Sequence, residues 1–229
     1  MNPVKLSSLI LLCFALPLLS QTFSIGAGTG LNFIQGNNYY TDDFGRIGKY
    51  ENINGTTTNL TGMGLSNEWQ FQINGKYAFI NSPFSLTAGF SYSPMRGNEQ
   101  MLIYDFFLNQ EVQRDVTTKM DIWSFQLGTN YTFDLHSFKP FIALSLSANY
   151  FDDVWIEFTE TDYISEFRSY KNGMRYGYSA GVGLDYIVLT KLELEISSNY
   201  NSLNLINRRE EEELLNSVNV LFNIYYKIN

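Results

Sequence analysis

Beyond residue 21, large apolar and small polar residues alternate along most of the chain. In "RYGYSAGVGLDYIV" (175–188), Tyr176, Tyr178, Ala180, Val182, Leu184, Tyr186 and Val188 share one parity. Arg175, Gly177, Ser179, Gly181, Gly183 and Asp185 share the other. Successive side chains of a strand point to opposite faces, so a period of two predicts β-structure with two unlike faces. Eight such segments are predicted, at residues 22–36, 66–80, 84–96, 118–133, 138–156, 172–188, 191–205 and 216–229. Most are longer than the five or six residues usual for a globular strand (about 17–20 Å). They suit the roughly 9–11 residues of a tilted membrane-spanning strand.

The connections come in two kinds that alternate. "NSP" (81–83), "DLHS" (134–137) and the turn at Leu189–Thr190 are tight, whereas 37–65, 97–117, 157–171 and 206–215 are long and polar. This order gathers the long connections at one end and both termini with the tight turns at the other. Outer-membrane barrels have such unequal ends, with short periplasmic turns and longer extracellular loops. The expectation is one all-β domain over 21–229, an eight-stranded antiparallel up-and-down transmembrane β-barrel, with periplasmic termini and extracellular loops. Residues 97–117 are expected to extend as a hairpin.

The two parities differ enough to assign their surroundings. One carries Phe23, Ile25, Leu31, Phe33, Phe71, Ile73, Leu86, Phe90, Phe125, Leu127, Ile142, Leu144, Leu146, Leu194, Ile196, Val220, Phe222 and Ile224. The other is rich in Gly, Ser, Asn and Gln, as at Gly26, Gly28, Gly30, Gln70, Gln72, Asn74, Ser124, Gln126 and Ser147. A water-facing strand face is normally crowded with Lys, Glu and Thr. Small polar residues instead suit the crowded interior of a narrow barrel, which leaves the bulky face to lipid. Charges follow the same rule, since Glu68, Lys76, Arg175, Asp185, Glu193, Glu195 and Lys227 all fall on the inward parity. Asp121 falls on the lipid parity, near the expected end of its strand. Aromatic rings gather at both rims of the apolar band, the level amphipathic rings prefer. Trp69, Tyr92, Trp123, Tyr150, Tyr178 and Tyr200 lie toward the loop end; Tyr77, Phe79, Phe84, Tyr131, Phe133, Tyr186 and Tyr226 lie toward the turn end.

The first 20 residues read differently. Lys5, an apolar run from Leu6 to Leu19 and a small exit residue at Ser20 have the layout of a cleaved secretory signal peptide. Its loss would remove Cys13, the single cysteine, and change the formal charge from −8 to −9. An acidic chain of this kind excludes nucleic acid as a partner by charge.

The segments "FKPFIALSLSANY" (138–150), "YGYSAGVGLDYIVLTKLELEISSNYN" (176–201) and "SVNVLFNIYYKIN" (217–229) carry a family likeness. Through them the sequence resembles the small eight-stranded bacterial outer-membrane β-barrel proteins. The resemblance covers all of the chain after the leader and implies a fold and a location rather than an activity. Such barrels often finish on an aromatic residue read by the insertion machinery; this chain finishes "YYKIN" and departs from that pattern.

The inward charges are the most specific chemical feature. Glu68 and Arg175 are expected toward the loop end, and Lys76, Asp185, Glu193, Glu195 and Lys227 toward the turn end. Buried charges must be paired, so two layers of ion pairs filling the lumen are expected. No catalytic, cofactor or metal site is expected. His136, the single histidine, sits in the turn "DLHS", and the acidic pairs Asp42–Asp43 and Asp152–Asp153 read as solvated loop residues. "GAGTGLN" (26–32) lies inside a strand with no lysine after it, so it reads as close packing rather than a phosphate loop. "INRREEEELL" (206–215) reads as a solvated cap, with Arg208 and Arg209 as candidates for lipopolysaccharide phosphates or an envelope protein partner. The functional expectation is a non-enzymatic barrel of structural or interaction type, in contact with outer-membrane lipid and acting through its loops. A narrow channel for ions or small solutes and a secreted lipocalin-like binder are the alternatives.

Overall fold

The computed structural model describes residues 22–35, 48–51, 57–60, 65–66, 68–105, 110–153, 155–158, 164–166, 172–208 and 212–228. The expected leader (1–20) and Asp42–Asp43 lie outside them. Eight long strands form the wall: β1 (Thr22–Gln35), β4 (Glu68–Ala78), β5 (Phe84–Asp105), β6 (Gln110–Thr132), β7 (Phe138–Phe151), β10 (Gly173–Leu189), β11 (Leu192–Ile206) and β12 (Asn216–Lys227). Four short strands belong to the connections: β2 (Gly48–Glu51), β3 (Thr57–Leu60), β8 (Trp155–Phe158) and β9 (Ile164–Glu166). The wall runs β5–β4–β1–β12–β11–β10–β7–β6, and β6 pairs back onto β5, so the sheet closes with no free edge along the barrel. Every pair is antiparallel; β1 and β12, the first and last strands, run together from Ser24↔Lys227 to Gln35↔Asn216.

Tight turns close the end that holds both terminal strands. Asn81 and His136 take positive φ (53° and 65°), a conformation for which Asn and His are enriched among non-glycine residues. The Ser82 hydroxyl accepts the Phe84 amide at 3.1 Å and fixes the first of these turns. At the opposite end β5 and β6 continue past the expected 84–96 and 118–133 and stay paired out to Asp105↔Gln110. The expected hairpin over 97–117 is present. Polar residues such as Asn98, Gln100 and Thr117 end the apolar alternation, yet backbone pairing needs no apolar face and carries on beyond it. β8 adds to the other flank of β6 at Val116–Lys119, and β9 adds to β8. The strand expected to reach 156 therefore ends at Phe151.

The bulky parity faces outward along the wall, where Ile25, Phe71, Ile73, Phe90, Phe125, Leu144, Leu146, Ile196, Phe222 and Ile224 are exposed. Lipid offers no hydrogen bonds, so the hydroxyls on this face turn to backbone oxygens. Thr29 donates to Gln70 O and Thr129 to Ser85 O, each at 3.0 Å. Inside, Gly28 is a close-approach position. A Cβ there would lie 1.8 Å from Asn223 Oδ1, so the missing side chain is what lets Asn223 lie across β1.

The inner face is less uniformly small and polar than the sequence suggests. Phe141, Tyr225 and Leu221 are buried within the barrel, and Met95, Met120, Ile122, Phe151 and Leu203 gather at the loop end with Leu65 and Leu215. A narrow barrel is filled by its own side chains, and large inward rings occupy space that Gly, Ser and Asn alone would leave open.

Candidate functional site

From the turn end inward, the lumen begins as an open vestibule of about 730 Å³ whose rim includes Asn81, Pro83 and Asp134. Its floor is an ion cluster. Lys76, on β4, lies 2.8 Å from Asp185 Oδ2, 3.0 Å from Glu193 Oε1 and 3.0 Å from Glu195 Oε2. An ammonium group has three N–H donors, and here each meets a different carboxylate. Tyr225 and Phe141 present ring faces to the same ammonium, with centroids at 4.5 and 5.6 Å. Lys227, on β12, reaches the other Glu193 oxygen at 3.1 Å. These five residues come together because β4, β10, β11 and β12 each place an inward position at the same height. The register sets Asp185 opposite Glu195 and Ser24 opposite both Lys76 and Lys227.

Above the cluster stands a layer of amides. Asn223 donates to Glu195 Oε1 at 2.8 Å and accepts from Gln72 (2.6 Å) and Asn74 (3.3 Å). Asn219 donates to Gln70 Oε1 at 3.1 Å and accepts from Asn199 at 3.0 Å. The space left at this level is about 80 Å³, and the next void toward the loop end, between Asn32, Asn201, Ile122 and Leu203, is about 10 Å³.

The loop end is closed by a second buried pair and an apolar cluster. Arg175 Nε lies 3.1 Å from both Glu212 oxygens, and Nη2 lies 2.9 Å from Oε2. The side chains are only 1% and 3% exposed. The guanidinium also donates to Gly173 O at 2.8 Å and lies over the Phe151 ring at 5.0 Å. Asn204 ties the segment 212–215 in place: its Nδ2 donates to Glu212 Oε1 at 2.8 Å and its Oδ1 accepts the Leu215 amide at 2.6 Å. Beneath and beside this clamp lie Leu65, Met95, Met120, Ile122, Phe151, Leu203 and Leu215.

Thus Lys76, Asp185, Glu193, Glu195 and Lys227 are neighbours in one cluster. Arg175 is buried at the other end but pairs with Glu212 rather than with Glu68, which is half-buried at the start of β4. The expectation of a solvated cap over 206–215 is corrected at Glu212 and Leu215, both buried because the segment folds back onto the barrel mouth. Inward Phe141 and Tyr225, which cover the Lys76 ammonium, were also missed. The signal was present for Tyr225: in "IYYK" adjacent tyrosines must face opposite sides of the wall. Nothing in a run of four glutamates distinguishes Glu212.

On the outer wall Asp121 is not at a strand end, because β6 extends well past it. It is held instead by Arg96, at 2.5 Å, and by the Tyr92 hydroxyl, at 2.9 Å. Tyr92 packs on Trp123 (4.3 Å between centroids), and Phe84 and Phe133 flank Tyr131 at 5.1 and 5.0 Å. Tyr77 packs on Phe79 and Tyr186 on Phe138. Trp69, Tyr150, Tyr178, Tyr200 and Tyr226 are exposed on the same outward parity. The acidic pair Asp152–Asp153 is engaged locally: Asp152 Oδ1 accepts the Asp153 amide, and Asp153 accepts from Asn172 at 2.9 Å.

Comparison with known proteins agrees with this architecture. The family model described as "Outer membrane protein beta-barrel domain" matches residues 6–226. Among solved structures, a major outer membrane protein from Thermus thermophilus is similar at a TM-score of 0.53 and 10% identity, over 91% of this chain and 100% of that one. Neisserial surface protein A is similar at a TM-score of 0.51 and 14% identity, over 91% and 99%. At such identities the likeness concerns the fold. No curated protein matches by sequence. The outward apolar belt and the family match together set aside the secreted lipocalin-like alternative.

Proposed function

The chain belongs to the outer membrane protein beta-barrel domain family of bacterial outer-membrane barrels, and we propose that within it this protein is a sealed barrel of structural or interaction type. The observation that carries this reading is the taper of the lumen. Among the described residues, free space falls from about 730 to 80 to 10 Å³ toward the loop end, where the apolar cluster lies. The last void has room for about one water, which is too little for a hydrated ion to pass. With the lumen filled, contacts fall to the four long connections, where binding residues on rigid scaffolds concentrate. The unequal ends of the barrel support periplasmic termini and extracellular loops, with exposed Arg208 available to lipopolysaccharide phosphates. The reading is non-enzymatic, and His136 supports it as an exposed turn residue.

The test is single-channel conductance of the mature protein refolded into a planar bilayer, with insertion verified by heat-modifiable migration. A silent bilayer is expected. Discrete, reproducible steps would overturn the sealed-lumen reading and make the narrow channel primary.

A further inference from the structure

Asparagine followed by glycine is the dipeptide most given to cyclising on itself, since glycine has no Cβ to keep its backbone nitrogen away from the asparagine side-chain carbonyl. The chain has three such pairs, Asn54–Gly55, Asn74–Gly75 and Asn172–Gly173. The first lies outside the described residues. The other two stand in opposite surroundings. Asn74 is inside β4, paired with Gly26 on one side and Gly89 on the other, and its side chain donates to Asn223 within the lumen. Asn172 is exposed and precedes the first rung of β10, Gly173↔Phe151.

The fold itself keeps the reactive pair in place. Gly173 has a φ of 149°, a conformation that side-chain-bearing residues rarely adopt, so the residue after Asn172 has to be glycine. Asn172 has a structural task too. Its backbone N–H donates to Asp153 Oδ1 at 3.3 Å and its Nδ2 to Asp153 Oδ2 at 2.9 Å, a clip between the chain leaving β7 and the chain entering β10. Immediately beyond the clip, the Gly173 carbonyl accepts from Arg175 at 2.8 Å, the guanidinium of the loop-end clamp.

We propose that Asn172 is a self-modifying site, which deamidates spontaneously in the folded barrel and in doing so lets go of Asp153. The Gly173 nitrogen gives up its proton and bonds to Asn172 Cγ. The Cγ–Nδ2 bond breaks, and the amide leaves as ammonia with that proton. Water then adds across one of the two C–N bonds of the cyclic imide, giving aspartate or isoaspartate. Either product sets a carboxylate where the Nδ2 donor stood, so attraction to Asp153 becomes repulsion between like charges. Isoaspartate also adds a methylene to the main chain directly before Gly173, whose carbonyl holds Arg175.

The experiment incubates the mature barrel, refolded into lipid nanodiscs, in mildly alkaline buffer made with heavy-oxygen water. Its peptides are then mapped by mass spectrometry after digestion in ordinary water. Heavy oxygen at residue 172 marks conversion in the folded protein rather than during digestion. Each rate is divided by that of the same residue in the urea-unfolded chain, which removes the influence of neighbouring sequence. Asn172 is expected to convert, to aspartate and isoaspartate, with a relative rate about tenfold or more above that of Asn74, which the wall must first release. Asn172→Asp, which installs the carboxylate directly, should speed amide hydrogen exchange at residues 172–173. No heavy oxygen at residue 172 in the folded barrel, or a relative rate at Asn74 as high as at Asn172, would overturn the self-modifying site. Unchanged exchange at 172–173 in Asn172→Asp would overturn the release of Asp153.

Discussion

Replacing Glu212 by Gln tests whether the loop-end closure is held by charge pairing. The substitution keeps the shape of the side chain and removes its charge, leaving the Arg175 guanidinium buried over Phe151 with its donors aimed at a neutral amide. Because the two side chains are 1% and 3% exposed, solvent screening does little to soften the loss. Removing one partner of a buried pair typically costs about 3–5 kcal/mol, since the survivor is stranded, and Asn204, which also bonds Glu212, keeps the amide in place rather than letting the segment relax outward. Replacing both partners removes the stranded charge. The double variant Arg175→Met, Glu212→Leu should therefore recover most of that loss, a coupling on the order of 2–3 kcal/mol. The assay is reversible urea unfolding in lipid vesicles of the wild type, Glu212→Gln, the single variants Arg175→Met and Glu212→Leu, and their double, read by tryptophan fluorescence. Hydrogen exchange at 212–215 would locate the effect. A single-variant loss below about 1 kcal/mol, or additive single losses, would refute the argument, because a pair worth that little behaves as a solvated surface contact.

The other predictions address different parts of the barrel. Lys76→Met strands three carboxylates around an apolar side chain and should lower stability by about 3–5 kcal/mol in the same unfolding assay at neutral pH; a loss below about 1 kcal/mol would mean that the cluster is not held by its ammonium. Ile73→Arg, on the outer wall at a side chain 62% exposed, should cost about 2–4 kcal/mol in a bilayer; a cost near zero would mean that this position does not meet hydrocarbon. Gly28→Val places a Cβ where Asn223 lies and should disrupt the Gln72–Asn223–Glu195 contacts, lowering stability by about 1–3 kcal/mol as an overpacking change, whereas Ala27→Val next to it, on the outer face, should be close to neutral.

The sequence was most informative where side-chain direction follows from parity alone. Trp69, Phe71 and Ile73 against Gln70, Gln72 and Asn74 fix the two faces of β4, and counting along each strand places Lys76, Asp185, Glu193, Glu195 and Lys227 inside at a common height. Parity fails where the chain leaves the wall. Glu212 and Leu215 are buried because 212–215 folds back onto Asn204, a tertiary event with no period to reveal it. Parity places Arg175 inside, but its partner Glu212 lies in a connection, where parity says nothing. Met95, Met120 and Ile122 were on readable parities; they escaped notice because the apolar cluster emerges only when four strands and two loop residues are brought to one level. The Arg96–Asp121 pair was hidden for another reason: the strands run on past the apolar band, so a position counted as a strand end is interior to a longer hairpin.

The two surfaces of this wall respond to mutation by different physics. Outside, each side chain meets lipid largely by itself, and the energy of a substitution is a transfer cost that depends on depth and hardly on neighbours. Inside, almost no group stands alone: Lys76 answers to three carboxylates, Asn223 to Gln72, Asn74 and Glu195, and Arg175 to Glu212 while Glu212 answers to Asn204. Apolar burial contributes less to order in such an interior than reciprocal pairing does, and buried polar groups in low dielectric penalise every broken partnership. Substitutions on the outer face should therefore add, whereas substitutions within a lumen layer should not, since the first breaks the layer and the second finds it already broken. The amide layer is tied to the turn-end cluster through Asn223, which donates to Glu195. Lys76 and Asn223 variants combined should consequently cost less than the sum of their single losses in the same unfolding assay, and an additive result would mean that the two layers are held separately.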